Sequence, residues 1–569
     1  MKQKKIVIAI VLSLMVVTGA AALFGRYIQL RPVALKTGAA NAPIVTYSDD
    51  APANNSSRPT MTTAAKKQAD APGPKQPTIE IPRAAVPAPA PQPLTNAPKQ
   101  EAVRQAVAEE HTYYPLLAAN DPAYASDWAL QKVNAPAAWN LSTGNGQTVV
   151  AVIDTGFALN HEDLKNNWYN NPGETGTTKL GDRCWTGTPQ NKTTNSCDDD
   201  NNGYVDDWRG WNFSLGDNNP MTGRTNPTGA GVSHGTETSG LVGAAGNNAT
   251  GIATINWNTK IMPLQALSDD GPGWTSDVAA AIYYAVDNGA SVINMSLGGS
   301  SYDPAIKAAT DYAFSHSVVV VAAAGNCGTG TEQGCQGLPT GAMMYPALND
   351  HVIAVGATTL NDQRASFSSF GPGLDVVAPG SGTIVSPTWT ASNGTTLYAG
   401  SLYGTSYASP QVASLASLIK SIRPNSSVDD VTALLLATAT KLPVMNNTAY
   451  TNELGHGVIN ASAALIVASS LNGTTATPSL LQAGGVVAEH QFSSSDTLGS
   501  GCSAVASGYC TIWLRDSQTG FERYLPYQQT NQQGWTGWTW GGALLPNGEW
   551  QIRAAQGDSR SGLYTLDSK

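Results

Sequence analysis

TVVAVIDTG, residues 148–156, is the stretch that decides the fold. Thr148 to Ile153 form an unbroken apolar and β-branched run, the pattern of a strand buried on both faces. Asp154-Thr155-Gly156 turns the chain at its end. Outward from there, SDVAAAIYYAVDN (276–288) has the pattern of a helix capped by Ser276 and stopped by Gly289. A strand at 291–295 follows it directly, and a helix at 303–315 leads into a strand at 318–323. A further strand is expected at 351–356 and a longer helix at 406–422. Strands alternating with helices imply an α/β fold, a doubly wound and mostly parallel sheet with helices on both faces.

The ends of the chain have other textures. Lysines at positions 2, 4 and 5 precede an apolar run at 6–25, interrupted only by Ser13 and Thr18. This is an export signal, with Ala20 and Ala22 offering a cleavage site. The run is also about 20 residues long, enough to span a bilayer, so residues 1–25 are a signal peptide or a retained signal anchor. Both place the rest of the chain outside the cell. Residues 26–113 are rich in Pro and Ala and form a disordered spacer or pro-segment, with 71–98 extended and semi-rigid. The catalytic candidate occupies 114–468, and 469–482 is a linker. Residues 483–569 alternate polar and apolar positions, as in TIWLR (511–515) and EWQIR (549–553), which predicts a small, sandwich-like all-β domain. Trp535, Trp538, Trp540 and Trp550 are expected in its core.

Charged residues make up 13 % of the 569, and 31 Lys and Arg against 41 Asp and Glu leave a formal balance of −10. Affinity for the nucleic-acid backbone is therefore not expected. The six cysteines fall into close couples, Cys184 with Cys197, Cys327 with Cys335 and Cys502 with Cys510. In an oxidising compartment these are expected as disulfides. Zinc is the rival, disfavoured because no C-x-x-C occurs and no histidine lies near the couples.

Three Gly-flanked motifs stand at the ends of elements in the α/β block: Asp154-Thr155-Gly156, His234-Gly235-Thr236 and GTSYASP (404–410). Pro410 is expected in the first turn of the helix that the last motif opens. A carboxylate at a strand end, an imidazole and a serine at a helix N-terminus are the parts of an activated nucleophile. With VIDTG, HGTETSG and GTSYASP in the order Asp, His, Ser, the chain resembles the subtilisin-like serine peptidases over about residues 120–463. Two more features fit: AAGN (323–326) after a buried strand, and NMSLGG (294–299). The resemblance implies that Ser406 is the nucleophile, His234 the general base and acid, and Asp154 its orienting partner. It implies Asn326 as the oxyanion donor, and an edge of Ser296, Leu297 and Gly298, with Ala324 and Gly325, against which substrate lies. A base that must be neutral predicts activity falling on the acid side of about pH 6–7.

The sequence departs from the family at Glu237-Thr238-Ser239, at Tyr407 and at Ser414, which are expected to touch helix packing and pocket walls rather than reacting groups. Between the first two motifs, DDDNNGYVDD (198–207) places oxygen ligands at alternate positions. Asp198, Asp200, Asn202, the Tyr204 carbonyl and Asp206 match the first half of an EF-hand loop, with Asp207 as a substitute for Asp206. Similar stretches occur in some bacterial subtilisin-like enzymes. The expectation is a structural Ca2+ loop, with a solvated acidic turn as the alternative. A Cys327–Cys335 bridge would either pin the loop beside Asn326 or staple it without effect on catalysis.

The sequence thus points to an exported serine endopeptidase acting on protein or peptide substrates. It is expected to be monomeric, without nucleic-acid partners, and in contact with a membrane only through a possible N-terminal anchor. Two alternatives are a surface adhesion protein on a protease-like scaffold and an aspartic peptidase using Asp154-Thr155-Gly156. The second needs a paired carboxylate motif, and no further D-T-G or D-S-G occurs.

Overall fold

The computed structural model describes residues 117–332, 334–446 and 448–470, the strand at 43–44 and ten short strands within 479–568. The chain divides into two units, 1–42 and 43–569. The first unit lies outside the described residues, as do the side chains of Cys502, Cys510 and the four C-terminal tryptophans. Among the described residues no helix is long and apolar enough to cross a membrane; the run at 6–25 lies outside them.

The central sheet has seven parallel strands in the order β3-β4-β2-β6-β7-β8-β9. They are β2 (Val149–Asp154), β3 (Trp211–Asn212), β4 (Lys260–Gln265), β6 (Val292–Met295), β7 (Val319–Ala323), β8 (Val352–Thr358) and β9 (Val376–Pro379). All six residues of β2 are buried, because it serves two cores at once. Val150 and Val152 enter one apolar cluster, Val149, Ala151 and Ile153 the other. This is the period-two alternation of a strand covered on both faces. Each valine so buried contributes roughly 1.5 kcal/mol or more.

Short helices α1 (Trp128–Lys132) and α2 (Ala135–Trp139) precede β2, and α3 (His234–Gly243) follows β3. Helices α4 (Thr275–Asp287) and α5 (Pro304–Ser315) cover the face that holds Ile153. The other face is covered by α3, α6 (Thr405–Ile422), α7 (Val428–Ala437) and α8 (Ala461–Ser470). The α/β class expected from the sequence is the one observed.

Some local expectations are corrected. The residue before α4 is Trp274, with no side-chain cap, so Ser276 lies inside the helix rather than capping it. Strand β4 runs through Pro263, a residue that ordinarily argues against an inner strand. The amides of Lys260 and Ala266 donate to Thr148 and Asp154, while that of Ile261 donates to Asn167 on the other side. By this alternation the missing N–H of Pro263 faces away from β2, toward the side where β3 is only two residues long.

Strand β1 (Pro43–Ile44) pairs antiparallel with β5 (Gly273–Trp274), so the spacer contributes one short strand. Strands β10 (Val385–Pro387) and β11 (Tyr398–Gly400) form a hairpin pair. Beyond residue 470 the strands lie in a three-stranded and a seven-stranded sheet.

Candidate active site

The C-terminal ends of the parallel strands bring the sequence motifs to one edge of the sheet, where open α/β sheets place their ligands. Asp154 is the last residue of β2 and is fully buried. Its Oδ1 accepts from His234 Nδ1 at 2.7 Å and from the Thr155 amide at 2.7 Å. Its Oδ2 accepts from Thr238 Oγ1 at 3.0 Å. His234, the first residue of α3, is 4 % exposed. Thr155 Oγ1 donates to the Gly231 carbonyl at 2.8 Å and accepts from the Gly235 amide at 2.9 Å, tying the strand end to the helix start. Gly235 is required by proximity: a Cβ there would lie 2.7 Å from the Gly156 carbonyl oxygen.

Ser406 is the second residue of α6 and 1 % exposed. Gly404 before it has φ +148 and ψ 154, a region open essentially to glycine alone. Ser406 Oγ donates to the Ser296 carbonyl at 3.4 Å. Pro410 is the sixth residue of α6 and not in the first turn as the sequence suggested. Lacking an N–H, it leaves the Ser406 carbonyl without its helical donor. Ser296 Oγ supplies one at 2.8 Å. Ser296 Oγ accepts from Asn294 Nδ2 at 3.0 Å, and Asn294 Oδ1 from Ser409 Oγ at 2.8 Å. A buried polar chain thus fixes the start of α6 to the end of β6.

Asn326, three residues beyond β7, is 5 % exposed. Its Oδ1 accepts from both the amide and the hydroxyl of Thr405 at 3.0 Å. The oxygen end of the amide is therefore held by the residue before Ser406, which leaves the NH₂ end as the donor side. Ser296, Leu297 and Gly298 follow β6, and Ala324 and Gly325 follow β7, all buried except the partly exposed rim at Gly299.

The departures from the family pattern lie closer to Asp154 and His234 than the sequence suggested. Thr238 bonds Asp154 directly. Glu237 Oε2 accepts from Tyr407 OH at 2.7 Å, so two separate departures form one contact. Ser414 Oγ accepts from the Asn256 amide at 3.1 Å and packs away from the edge, as expected.

The acidic loop is assembled differently from its sequence pattern. Asp198 and Asp200 lie with Glu174 so that one oxygen of each falls within 4.8 Å of the others. Asn202 joins them through its amide, which donates to Asp200 Oδ2 at 3.3 Å and Asp207 Oδ2 at 2.9 Å. Tyr204 donates its backbone N–H to Asn202 Oδ1 at 2.8 Å, and its ring packs on Trp211, Phe213 and Tyr284. Asp206 has φ +53 and turns its carboxylate to the Ser196 amide, 3.1 Å from Oδ2. Asp207 is tied to the group through Asn171 Nδ2, which donates to both Asp200 Oδ2 and Asp207 Oδ1, and it also accepts from Tyr284 OH at 2.5 Å.

Glu174 lies 24 residues before Asp198, too far for the local spacing of the acidic loop to include it. It is fully buried and its Oε1 accepts from the amides of Asp199 and Asp200. Among the described residues no hydrogen-bond donor reaches its buried Oε2. Burial, reinforced by Asp207 and Asp200, pushes its carboxyl up to about 7, and burial pushes Asp207 up to about 6. An orphaned buried carboxylate oxygen among like charges fits a hard cation that takes oxygen ligands.

Cys184 and Cys197 form a disulfide with Cα atoms 6.1 Å apart, and Cys327 and Cys335 another at 5.5 Å. These pairings displace the zinc reading for the two couples. The second bridge begins directly after Asn326, and both its cysteines are fully buried.

With this geometry in place, residues 145–457 match the subtilase family. The chain is similar to thermitase of Thermoactinomyces vulgaris, 33 % identical over 324 residues that cover 57 % of this chain and 92 % of that protein. It is 43 % identical to subtilisin DY of Bacillus licheniformis over 234 residues, 41 % of this chain and 78 % of the relative. It is 35 % identical over 389 residues to an extracellular protease of Xanthomonas campestris, covering 65 % of this chain and 60 % of that protein. A match to more than half of the chain, seated on a parallel sheet with the expected motifs at its edge, places it: the protein belongs to the subtilase family and is a serine endopeptidase.

Proposed function

We propose that the chain hydrolyses peptide bonds through Ser406, His234 and Asp154, with Asn326 in the oxyanion hole. The observation that carries this reading is the buried 2.7 Å bond from His234 Nδ1 to Asp154 Oδ1. It keeps the proton on Nδ1, donated as a hydrogen bond to the ionised carboxylate, and leaves Nε2 to act as the base. Ser406 Oγ attacks the scissile carbonyl carbon while His234 Nε2 takes the hydroxyl proton. The carbonyl oxygen becomes an oxyanion, which receives hydrogen bonds from Asn326 Nδ2 and the Ser406 amide. That amide lies in the first turn of α6, where N–H groups have no helical acceptor. The intermediate collapses by breaking the C–N bond, and His234 gives its proton to the leaving amine. A water then repeats the sequence on the acyl-enzyme and regenerates Ser406. The imidazole bound to Asp154 also supports the serine reading over the aspartic one, which needs a second carboxylate at that place. The test is hydrolysis of a peptide amide by the purified chain and its loss on treatment with a serine-directed organophosphorus reagent. Continued hydrolysis after stoichiometric treatment sinks the reading.

We also propose that Glu174, Asp198, Asp200 and Asp207, with Asn202, hold a calcium ion. When bound, it would neutralise the crowded carboxylates and fasten the loop 198–207 to Tyr284 on α4. Chelation is expected to lower the melting temperature by about 5 °C, the size of an ion present at about a hundred times its dissociation constant. Glu174→Gln is expected to remove that response. A melting temperature indifferent to calcium and chelator in the wild-type chain contradicts the assignment.

Export is the third part of the proposal. The two disulfides and the extracellular relative support it. On this reading residues 1–25 direct export, 26–113 precede a catalytic domain at 114–468, and 483–569 form a separate β domain. The secreted enzyme is a monomer acting on protein substrates. N-terminal sequencing of the secreted protein is expected to begin beyond residue 25. An intact N-terminus found only in membranes would instead make that segment an anchor.

A further inference from the structure

His234, Glu237 and Thr238 stand at i, i+3 and i+4 on α3 and therefore share one face. That face looks onto the start of α6. Thr238 bonds Asp154, and the ring of His234 lies 5.9 Å from that of Tyr407 at 54°. Tyr407 OH donates to Glu237 Oε2 at 2.7 Å, and Thr388 Oγ1 donates to Oε1 at 2.5 Å. The main chain is tied down as well, since the Glu237 carbonyl accepts from Ser386 Oγ at 2.6 Å. Glu237 is 6 % exposed and Tyr407 3 %. A carboxyl group buried this deeply costs stability unless both oxygens are hydrogen-bonded, and here both are. The surroundings are otherwise apolar: Tyr407 packs with Ala129, Leu241 and Ile384, and with Trp128 and Leu402 at the margin.

Glu237 is one turn beyond His234, and Tyr407 is the residue after Ser406. Their hydrogen bond therefore spans the two helices that carry the base and the nucleophile without using the reacting groups. Apolar contact alone lets neighbouring side chains slide, whereas a hydrogen bond of this length fixes distance and direction. We propose that Glu237 and Tyr407 are positioning residues, a brace between α3 and α6 that sets the approach of His234 to Ser406. The proposal rests on reading those two as base and nucleophile.

The experiment uses the full chain, a peptide-amide substrate and rates per folded enzyme, with folding followed by circular dichroism. Tyr407→Phe keeps the ring and removes only the hydroxyl. It is expected to lower kcat about tenfold with KM within about twofold, less than the hundredfold attached to a displacement of about 1 Å. Glu237→Gln is expected to move kcat the same way. The triple variant E237M/T388V/Y407F replaces every polar partner by an apolar group, which can be nearly neutral for stability. It is expected to regain the wild-type melting temperature while kcat stays about tenfold down.

A Tyr407→Phe enzyme with wild-type kcat overturns the proposal. So does a triple variant in which kcat recovers together with the melting temperature, since that marks a packing role alone. If Glu237→Gln does not fold, the Phe and triple variants still decide. Failure of the underlying reading looks different: Ser406→Ala would then retain hydrolysis, whatever the Tyr407 variants do. Ser406→Ala inactive with Tyr407→Phe at wild-type rate removes the brace and leaves the triad.

Discussion

Ser406→Ala is expected to lower kcat for peptide-amide hydrolysis by about 10⁶-fold, the magnitude for removing the triad serine in a subtilisin, with KM little changed. The loss is large because, in the proposed mechanism, the Ser406 hydroxyl oxygen is the atom that forms the new bond. The variant is expected to fold. Ser406 Oγ makes a long, 3.4 Å hydrogen bond to the Ser296 carbonyl, while the position of the residue is set by its main chain. The Ser406 carbonyl is held by Ser296 Oγ, and Thr405 is held by Asn326. None of those bonds is lost when the side chain becomes a methyl group. An alanine variant that melts like the wild type and still cleaves the amide at more than a thousandth of its rate contradicts the mechanism.

The second large effect is at Asn326. Asn326→Ala is expected to lower kcat by about 10²–10³ with KM nearly unchanged, because its side chain is asked to meet charge that exists only in the transition state. This substitution has a second consequence that must be separated. Asn326 Oδ1 accepts two hydrogen bonds from Thr405, so alanine also loosens the residue beside the nucleophile. Asn326→Asp keeps an oxygen at that place but has no N–H to offer. It is expected to lose at least as much activity as the alanine variant, since a carboxylate would oppose the developing oxyanion. A near-normal rate for Asn326→Asp would mean that the residue anchors Thr405 and does not stabilise the oxyanion.

The fold was legible because its inner strands are too apolar for any surface. Residues 148–153 have the pattern of a strand covered on both sides, and the helices at 303–315 and 406–422 are within a residue of those found. What escaped was decided by geometry between distant residues. β4 was hidden by Pro263, which is tolerated because its missing N–H faces the short strand. The pattern of the acidic loop favoured Asp206, yet the backbone there is left-handed and the carboxylate accepts from the Ser196 amide, while Asp207 shares the Asn202 amide with Asp200. Glu174 carries no local signal at all, since the turn that returns it to Asp198 and Asp200 is set by the intervening loop. Glu237 and Tyr407 were each visible as unusual, but 170 residues separate them. Only the packing of α3 against α6 makes them one feature.

Identification of the covalently modified atom is the sharpest test of Ser406 as the nucleophile. The purified chain is treated with an organophosphorus reagent until hydrolysis stops, digested, and mapped by mass spectrometry. One adduct per chain is expected, on the peptide containing Ser406, and none when His234 is replaced by alanine. An adduct on any other residue that accompanies the loss of activity, or complete loss without an adduct on Ser406, would contradict it.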